Sequence, residues 1–441
     1  MDDVQIKYPP IPSNRGLGYW LRPSNVWVSR RKIFRSDYST EWRKTFVNPS
    51  SPVDRSVPFS ALVPDPLPDQ GFRFLILGDT GEGDRSQYSL LPLIRSLSPA
   101  FIIINGDVAY PAGRIEDFED GFFKPYEGLQ VPIWAVPGNH EYYSKNQGRE
   151  FYEIFCTRVR AKRWAEADLR LVPQPGTYWE LRDPTAVLPL VVIGIDTGKA
   201  GDLDGKGKQG SDTDQHTWLN ARLKLAQQEN RIVIVLFHIP ALANNEQIKK
   251  TSLFQLHHVL AKYPCVRLVV GAHYHNYQYY SQNVFREFLN EIAPATKTSG
   301  ARPTYLIAGD SGAALSSVRF KKKDYPADEV YPSLSQWEEY ETIGRRTVDA
   351  AGFSRTLVGR LVALVNKEVR SDFDPPGFLS FLSVDVTPGH ASVQPVFMDH
   401  VRLLYANQPP GSVVHIQDAS VPLDQSAVKY ALRSTPLKLV P

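Results

Sequence analysis

The sequence has few of the features that mark secreted, disulfide-bonded or membrane proteins. Its two cysteines, Cys156 and Cys265, are far apart and lie in no Cys-x-x-Cys pattern, which argues against a disulfide framework and a thiolate metal site. No apolar run approaches membrane-spanning length, and the N-terminal MDDVQIKYPP is acidic where a signal peptide would be basic. We therefore expect a cytoplasmic protein as the sequence is written, and a secreted or periplasmic one if a leader has been removed.

The chain also lacks a strong charge of either sign. Its formal net charge is +3 over 441 residues, and basic residues cluster only in short runs at Arg30–Lys32 and Lys321–Lys323. This pattern gives no electrostatic case for a nucleic-acid partner. Apolar residues make up 42% of the chain and charged residues 22%, so a sizeable core can be buried, either in one large decorated domain or in two domains.

What the sequence does have is a series of short apolar runs that begins at Phe72. The runs are FRFLIL, AFIIIN, VPIWAV, LPLVVIGI, RIVIVLF, VRLVV and TYLIA. Runs that are apolar on both faces are typical of strands buried inside an α/β protein. Helices are predicted between them at Arg85–Leu97, Asp212–Gln228 and Glu246–Lys262. A layered α/β sandwich over residues 71–310 follows from this alternation.

The remaining segments differ in composition and lack this series of apolar runs. Residues 1–70 are rich in Pro, Ser and Arg and are predicted to form an extended arm that packs through Trp20, Trp27 and Trp42. Residues 311–376 are predicted to be an insertion near the mouth of the site, with one amphipathic segment at Arg355–Val369. Within residues 377–400, Phe378–Phe397 is predicted to form a hairpin that turns at Pro388-Gly389 and completes the core. Residues 401–441 are predicted to be a tail.

Residues that suit metal binding fall at the ends of five apolar runs. LILGDTG ends the first run, IINGDVAY the second, AVPGNHE the third, VLFH a later one and VVGAHYH the next. In open α/β sheets, ligands bind outside the carboxyl ends of the strands, so these side chains should meet in one crevice. The candidate metal ligands are Asp79, Asp107, Asn139, His238, His273 and His275. The small residues Gly78, Gly106 and Gly138 before them should let the backbone turn sharply.

The chemistry of these side chains favours a pair of first-row metal ions. Carboxylates, a carboxamide and neutral imidazoles suit such ions better than they suit calcium, which prefers oxygen alone. If Asp107 bridges two ions, Asp79 and His275 can hold one of them, and Asn139, His238 and His273 can hold the other. Paired ions about 3.5–4 Å apart clamp the attacking and leaving oxygens of a displacement at phosphorus. The pattern therefore predicts a phosphoryl-transfer site.

In this order, the blocks GDTG, GDVAY, GNHE, VLFH and HYH resemble the signature blocks of calcineurin-like metallophosphoesterases. The resemblance covers about residues 72–310 and the hairpin near Phe378, and it implies a four-layer α/β/β/α sandwich. Many members carry a metal-binding histidine where this chain has Gly81. Tyr110 can supply the missing ligand, and Gly81 with Tyr110 resembles the purple acid phosphatase branch. Ala272 departs from the family's usual glycine, and a methyl group should be tolerated there.

The resemblance implies an iron ion and a divalent partner, which would be iron, zinc or manganese. The ligands implied for iron are Asp79, Asp107, Tyr110 and His275, and those implied for the divalent ion are Asp107, Asn139, His238 and His273. His140 would lie over the substrate as an acid for the leaving group or as a donor to phosphate. Catalysis would then depend on His140 and on the bridging Asp107.

We predict an enzyme that hydrolyses a small phosphate monoester by attack of a metal-bound hydroxide. A phosphodiesterase acting on a nucleotide or a phospholipid head group would use the same metal site. A non-catalytic binding protein on this fold is a third possibility, which the nearly complete ligand set disfavours.

Several polar residues are left out of the predicted site. Arg114 and Glu141 are expected to be solvated surface residues, and Asp196 and Asp310 to be turn residues or to lie behind the ligands. The histidines without a partner motif are His216, His257, His258, His390, His400 and His415.

Overall fold

The computed structural model describes Pro23 and residues 55–63, 71–83, 85–198, 213–243, 251–292, 303–313, 327–331, 378–399 and 436–441. Within these ranges, no helix combines the length and the hydropathy that crossing a bilayer requires. The arm tryptophans Trp20, Trp27 and Trp42 and the amphipathic segment Arg355–Val369 lie outside the described residues, so the predictions about them stay predictions.

Strands and helices alternate through most of the described chain. The strands are β1 Ser56–Pro58, β2 Phe72–Leu77, β3 Phe101–Asn105, β4 Ile133–Val136, β5 Trp179–Arg182, β6 Leu190–Ile195, β7 Ile232–Phe237, β8 Val266–Gly271, β9 Tyr277–Tyr280, β10 Thr304–Ala308, β11 Glu329–Tyr331, β12 Phe378–Thr387, β13 His390–Asp399 and β14 Leu437–Leu439. The helices are α1 Arg85–Ser96, α2 Ile115–Phe118, α3 Lys124–Tyr126, α4 Arg149–Phe155, α5 Ala161–Glu166, α6 Thr213–Gln228, α7 Thr251–Leu260 and α8 Gln282–Ile292. A π-helical turn at Glu119–Phe123 joins α2 to α3, and 3-10 turns lie at Phe59–Ala61 and His140–Tyr142.

All seven apolar runs are strands, namely β2, β3, β4, β6, β7, β8 and β10. Every residue of β6 and β7 is buried, as expected for strands covered on both faces. The three predicted helices are present as α1, α6 and α7. Asp212, the first residue predicted for the second of these helices, lies outside the described residues.

The strands form two sheets whose central members run parallel. One sheet has the order β1-β5-β6-β7-β8-β10-β9-β11 and the other the order β14-β13-β12-β2-β3-β4. Strands β6, β7, β8 and β10 are parallel neighbours in the first sheet, as are β2, β3 and β4 in the second. The carboxyl ends of each parallel set therefore lie together at one edge of its sheet.

The core has three apolar clusters that separate four layers. The central cluster joins residues of both sheets, including Phe74 and Trp134 from one and Ile234 and Leu268 from the other. In a second cluster, α1, α4, α5 and the turns that follow α2 pack on the six-stranded sheet. The third packs α6, α7 and α8 on the eight-stranded sheet. The fold is thus the α/β/β/α sandwich that the resemblance implies.

Segments outside the predicted core also contribute strands. Ser56–Pro58 pairs in parallel with β5, Glu329–Tyr331 pairs with β9, and Leu437–Leu439 pairs with β13. The hairpin is formed by β12 and β13, which pair from Phe378↔Asp399 to Thr387↔His390 around the two-residue turn at Pro388-Gly389. Because β12 also pairs with β2, the hairpin is part of the sheet that carries Asp79.

Candidate metal centre

The strand ends of both sheets bring the predicted ligands together. Asp79 and Asp107 follow β2 and β3 by two residues, and Asn139 follows β4 by three. On the facing sheet, His238 follows β7 directly and His273 follows β8 by two residues. Asn105 links the two sets of strand ends, since its Nδ2 donates to the carbonyl oxygens of Phe237 and Val270, each at 3.2 Å. The site therefore lies at the seam between the sheets.

Three of the predicted ligands have left-handed backbones, which non-glycine residues seldom adopt. The φ angles are 53° at Asp79, 50° at Asp107 and 72° at His273. Such conformations persist where surrounding contacts enforce them, and they concentrate at functional sites. The preceding residues were predicted to make the turns, yet of Gly78, Gly106 and Gly138 only Gly106 has a positive φ, of 88°. The ligand residues themselves turn the backbone.

Gly78 and Gly138 are required for space. A Cβ at Gly138 would lie 2.1 Å from Asp107 Oδ1, and one at Gly78 would lie 2.2 Å from the Ala308 carbonyl oxygen. The same holds at Gly81, where a Cβ would lie 2.1 Å from the Val108 carbonyl oxygen. No side chain fits at Gly81 on this backbone, so a histidine ligand cannot come from that position.

Tyr110 lies where a missing ligand would be needed. Its hydroxyl is 3.0 Å from Asp79 Oδ1, from Asp107 Oδ2 and from His275 Nε2. His275 Nε2 is also 3.3 Å from Asp79 Oδ1. Four potential ligand atoms of different residues thus converge on one point, with Asp79, Asp107 and Tyr110 buried. These four residues form the first half of the site.

The second half surrounds the other side of Asp107. Asp107 Oδ2 is 3.2 Å from His238 Nε2, which is 3.1 Å from Asn139 Oδ1. One ligand atom each from Asp107, His238 and His273 lies within 4.8 Å of the others, as in a group that could hold a metal ion. Because Asp107 Oδ2 also touches Tyr110, this carboxylate belongs to both halves. The seven residues are therefore brought together as two overlapping groups.

The hydrogen bonds behind His238 fit a metal ligand. Its Nδ1 is 3.0 Å from the Asn105 carbonyl oxygen, and a carbonyl can only accept, so Nδ1 carries the proton. Nε2 is then the nitrogen that faces Asp107 and Asn139. A metal-binding histidine usually donates its other ring N–H to a carbonyl or carboxylate in this way. Carboxylate, carboxamide, phenol and imidazole donors together suit first-row metal ions, so the residues present fit the ions that the resemblance implies.

Buried charges of opposite sign balance each other in the cluster. Burial raises the pKa of Asp107, but His238, His140 and His273 outweigh burial and hold it well below its usual range. Burial lowers the pKa of His238, but Asp107 and Asp79 outweigh burial and raise it to about 9. Burial and the neighbouring carboxylates of Asp107 and Asp79 raise the pKa of the Tyr110 hydroxyl well above its usual value. A metal cation bound among these residues would supply the positive charge that protonated His238 otherwise provides to the carboxylates.

His140 lies beside the cluster and is partly open to solvent. Its Nδ1 is 2.8 Å from the Pro111 carbonyl oxygen, so Nδ1 donates and Nε2 faces the site, 3.9 Å from Asp107 Oδ2. The ring packs between Tyr110 and Tyr143, with centroid distances of 4.3 Å and 4.7 Å. Its side chain is 20% exposed. This is a suitable place for a group that exchanges a proton with a bound molecule.

Glu141 was expected to be a solvated residue, and this was wrong. The residue is fully buried. Its Oε2 accepts the N–H groups of Asp107 at 3.1 Å and Gly138 at 2.7 Å, and its Oε1 accepts that of Ala109 at 3.0 Å. Burial and the nearby Asp107 raise the pKa of Glu141 to about 8, against the opposing effect of these N–H donors. The only signal in the sequence was its position directly after Asn-His.

Other residues outside the predicted site also have defined places. Arg114 is not a solvated surface arginine, because its partly buried guanidinium pairs with Asp117 through Nε at 2.9 Å and Nη2 at 2.7 Å. Asp196 accepts from the Tyr142 hydroxyl at 2.5 Å. Asp310 is buried and accepts from the Ser380 hydroxyl. Ala272 is fully buried, so its methyl group is accommodated.

The remaining histidines that the structure describes lie outside the cluster. His257 is buried against Tyr305 in the core between α7 and the eight-stranded sheet. His216, His258 and His390 are partly buried. His400 and His415 lie outside the described residues.

Residues 72–277 match the family of calcineurin-like phosphoesterases. No curated protein matches the chain at the level of sequence.

Among solved structures, the chain is similar to GAP50, "the anchor in the inner membrane complex of Plasmodium", at 12% identity, with 74% of this chain and 84% of that chain covered and a TM-score of 0.45. It is similar to a purple acid phosphatase from yellow lupin (Lupinus luteus) seeds at 12% identity, with 77% of this chain and 53% of that chain covered and a TM-score of 0.46. A dimetal phosphatase from Danio rerio matches at 12% identity, with 74% and 96% covered and a TM-score of 0.40. The family match contains every predicted metal ligand, from Asp79 to His275.

Proposed function

We propose that the protein is a binuclear metal-dependent phosphoesterase that hydrolyses small phosphate monoesters, because residues 72–277 match the family of calcineurin-like phosphoesterases. The observation that carries this proposal is the convergence of seven potential ligands from the strand ends of both sheets. Two buried carboxylates this close to one another need a compensating positive charge. Metal ions would supply that charge. They would also supply the hydrolytic chemistry of phosphoesterases.

The two halves of the site suggest which residues hold each ion. Asp79, Tyr110 and His275 would hold an iron ion, and Asn139, His238 and His273 would hold a divalent ion, which is iron, zinc or manganese. Asp107 would serve both ions, because its Oδ2 is close to Tyr110 and to His238. When bound, the ions would supply Lewis acidity to the phosphoryl oxygens and lower the pKa of water.

His140 is the chain's own candidate for proton transfer. Its Nδ1 is occupied by the Pro111 carbonyl, so a proton can be exchanged at Nε2, on the side that faces the cluster. In its protonated form, Nε2 can give a proton to the departing alkoxide or donate a hydrogen bond to the phosphate. Packing between Tyr110 and Tyr143 fixes the plane of the ring, which keeps Nε2 aimed at the site.

Tyr110 supports the purple acid phosphatase-like form of this chemistry. Its hydroxyl lies equally close to Asp79, Asp107 and His275, which is the arrangement that a fourth ligand of the same ion requires. A phenolate bound to ferric iron absorbs visible light, so the assignment has a direct spectroscopic signature.

The first test is elemental analysis with a visible spectrum on the purified protein, after expression with iron, manganese and zinc in the medium. We expect about two metal ions per chain, including iron, and a broad charge-transfer band. The band should disappear in Tyr110→Phe and persist in Tyr142→Phe, which is a matched control because the Tyr142 hydroxyl donates to Asp196. Two ions without the band would make Tyr110 structural and favour a manganese or zinc diesterase. A protein without metal would favour a non-catalytic binding function.

The second arm of the test separates the classes of substrate. We expect faster hydrolysis of p-nitrophenyl phosphate than of bis-p-nitrophenyl phosphate, and a loss of turnover and metal content in Asp107→Ala. A strong preference for the diester would replace the proposed phosphatase by a phosphodiesterase. Full activity in Asp107→Ala would contradict the mechanism for either substrate.

A further inference from the structure

The carboxamide of Asn139 has two unlike ends, and they face different partners. Its Nδ2 donates to the hydroxyl oxygen of Tyr143 at 2.8 Å, whereas its Oδ1 faces His238 Nε2 at 3.1 Å. Only the oxygen of a carboxamide can bind a cation, because the NH2 group has no available lone pair and presents two protons. The orientation of this amide therefore decides whether Asn139 can act as a ligand.

The position of Tyr143 is fixed by the same short segment that carries Asn139. Its backbone N–H donates to the His140 carbonyl oxygen at 3.1 Å, at the end of the 3-10 turn His140–Tyr142. Its ring packs against the His140 ring with a centroid distance of 4.7 Å. The hydroxyl of Tyr143 is thus held four residues from Asn139 by backbone and ring contacts, and it does not depend on a metal ion for its position.

His238 cannot hold the amide in place once the site is loaded. A histidine that binds a metal through Nε2 has no proton left on that nitrogen to donate to Asn139. Tyr143 then holds the amide from the other side, because its hydroxyl accepts from Nδ2 while Oδ1 faces the cluster. Rotation of the amide by 180° would turn the NH2 group toward the cation, and the Tyr143 hydroxyl would have to donate to Oδ1 instead of accepting from Nδ2.

From this geometry we propose that Tyr143 is a positioning residue that keeps the Asn139 oxygen directed at the divalent ion. The inference rests on the proposed function, since it requires that Asn139, His238 and His273 hold a metal. It assigns a role to a side chain that lies beside the ligands and binds no metal itself. Loss of such a supporting hydrogen bond typically weakens metal affinity about 10–100-fold.

The test compares Tyr143→Phe with wild type and with Tyr142→Phe. The full-length holoproteins are dialysed against increasing concentrations of EDTA, and the metal that remains is measured by elemental analysis. We expect Tyr143→Phe to lose its divalent ion at a chelator concentration about 10–100-fold lower than wild type, with the ion held by Asp79, Tyr110 and His275 unaffected. Tyr142→Phe removes a neighbouring buried hydroxyl that serves Asp196, so it should lose metal as wild type does.

A second test uses the Asn139→Asp variant as its background. It separates a loss of amide positioning from general damage to the site. Aspartate has two equivalent oxygens and needs no fixed orientation, so adding Tyr143→Phe to Asn139→Asp should shift the chelator midpoint by less than about twofold. An equally large shift in that background would overturn the inference, as would an unchanged midpoint in Tyr143→Phe alone. In either case a wild type with two metal ions leaves the proposed function standing, whereas a wild type without metal would contradict the proposed function itself.

Discussion

Three residues of the site are held in conformations that their side chains disfavour. A left-handed backbone costs a non-glycine residue about 1–2 kcal/mol, and Asp79, Asp107 and His273 all adopt one. Hydrogen bonds to neighbouring strand ends enforce these conformations. The His273 N–H donates to Asp79 Oδ2 at 2.7 Å, and the Asp79 N–H donates to the Gly106 carbonyl at 3.1 Å. These strained backbone conformations direct side chains from the two sheets toward one point.

Glu141 should be essential for the loop that carries Asp107. In Glu141→Gln, one oxygen is replaced by an NH2 group, which leaves at least one of the N–H groups of Asp107, Ala109 and Gly138 facing another donor. An unsatisfied buried donor costs about 1–3 kcal/mol. We therefore expect the free energy of unfolding to fall by that amount in urea titrations, and the metal content to fall with it.

The control for this prediction is Glu150→Gln. Glu150 is also a buried glutamate, but it accepts from the side chains of Ser144 and Asn146, outside the site. This variant should lose stability and keep its metal ions. Normal stability and metal content in Glu141→Gln would show that the three N–H groups find other acceptors.

At this scale the sequence predicts well which polar side chains meet, and it predicts the residues that support them poorly. Asp79, Asp107 and His238 stand within two residues of the ends of apolar strands, so their positions follow from the chain order of the strands alone. The burial of Glu141 depends on N–H groups from two different loops. Contacts of this kind arise only when the loops meet in three dimensions, and no local pattern contains them.

Among the elements, length and apolar content decide what the sequence can predict. β7 consists of six buried apolar residues and is recognised without difficulty. β5, with the sequence WELR, and β9, with YQYY, are four residues each and include polar side chains. Their strand conformation comes from pairing with β6 and β10, which a pattern along the chain does not reveal. The strand at Leu437–Leu439 is missed for the same reason.

Ser311 joins three elements directly behind Asp79. Its hydroxyl accepts the Gly78 N–H at 3.0 Å and donates to the Ser380 carbonyl at 2.7 Å, so it connects the ends of β2 and β10 to β12. In Ser311→Ala, both hydrogen bonds are lost in a buried place. We expect the free energy of unfolding to fall by about 1–3 kcal/mol, and the ion near Asp79 to be lost at a lower chelator concentration.

Ser96→Ala is the matched control for Ser311→Ala. The Ser96 hydroxyl donates to the Leu93 carbonyl, at the end of α1 and away from the site. This variant should change stability by less than about 0.5 kcal/mol and retain both ions. If Ser311→Ala behaves in the same way, the hairpin does not support the metal centre.

The molecule as a whole contains a buried titratable group that limits its stability in acid. His257 is fully buried among Phe237, Phe285, Phe288 and Tyr305. Burial lowers the pKa of His257 from 6.5 to about 4. Below pH 6.5 the unfolded chain takes up a proton at this residue that the folded chain does not, so stability is lost as the pH falls toward 4. The difference between the two pKa values corresponds to about 3 kcal/mol.

This pH dependence can be isolated with His257→Leu. Urea unfolding at several pH values should show a steeper loss of stability between pH 6.5 and pH 4 in wild type than in the variant, whatever the absolute stability of each. Parallel slopes for wild type and His257→Leu would exclude His257 as the source.

The seam between the sheets has a consequence for how such a protein can diversify. Each potential ligand lies within five residues of the end of a strand, and the long connections between strands supply none of them. Insertions and deletions in those connections can therefore reshape the rim of the site while the chemistry beneath it is inherited unchanged. Substrate preference and reactivity can in this way evolve on separate parts of the chain.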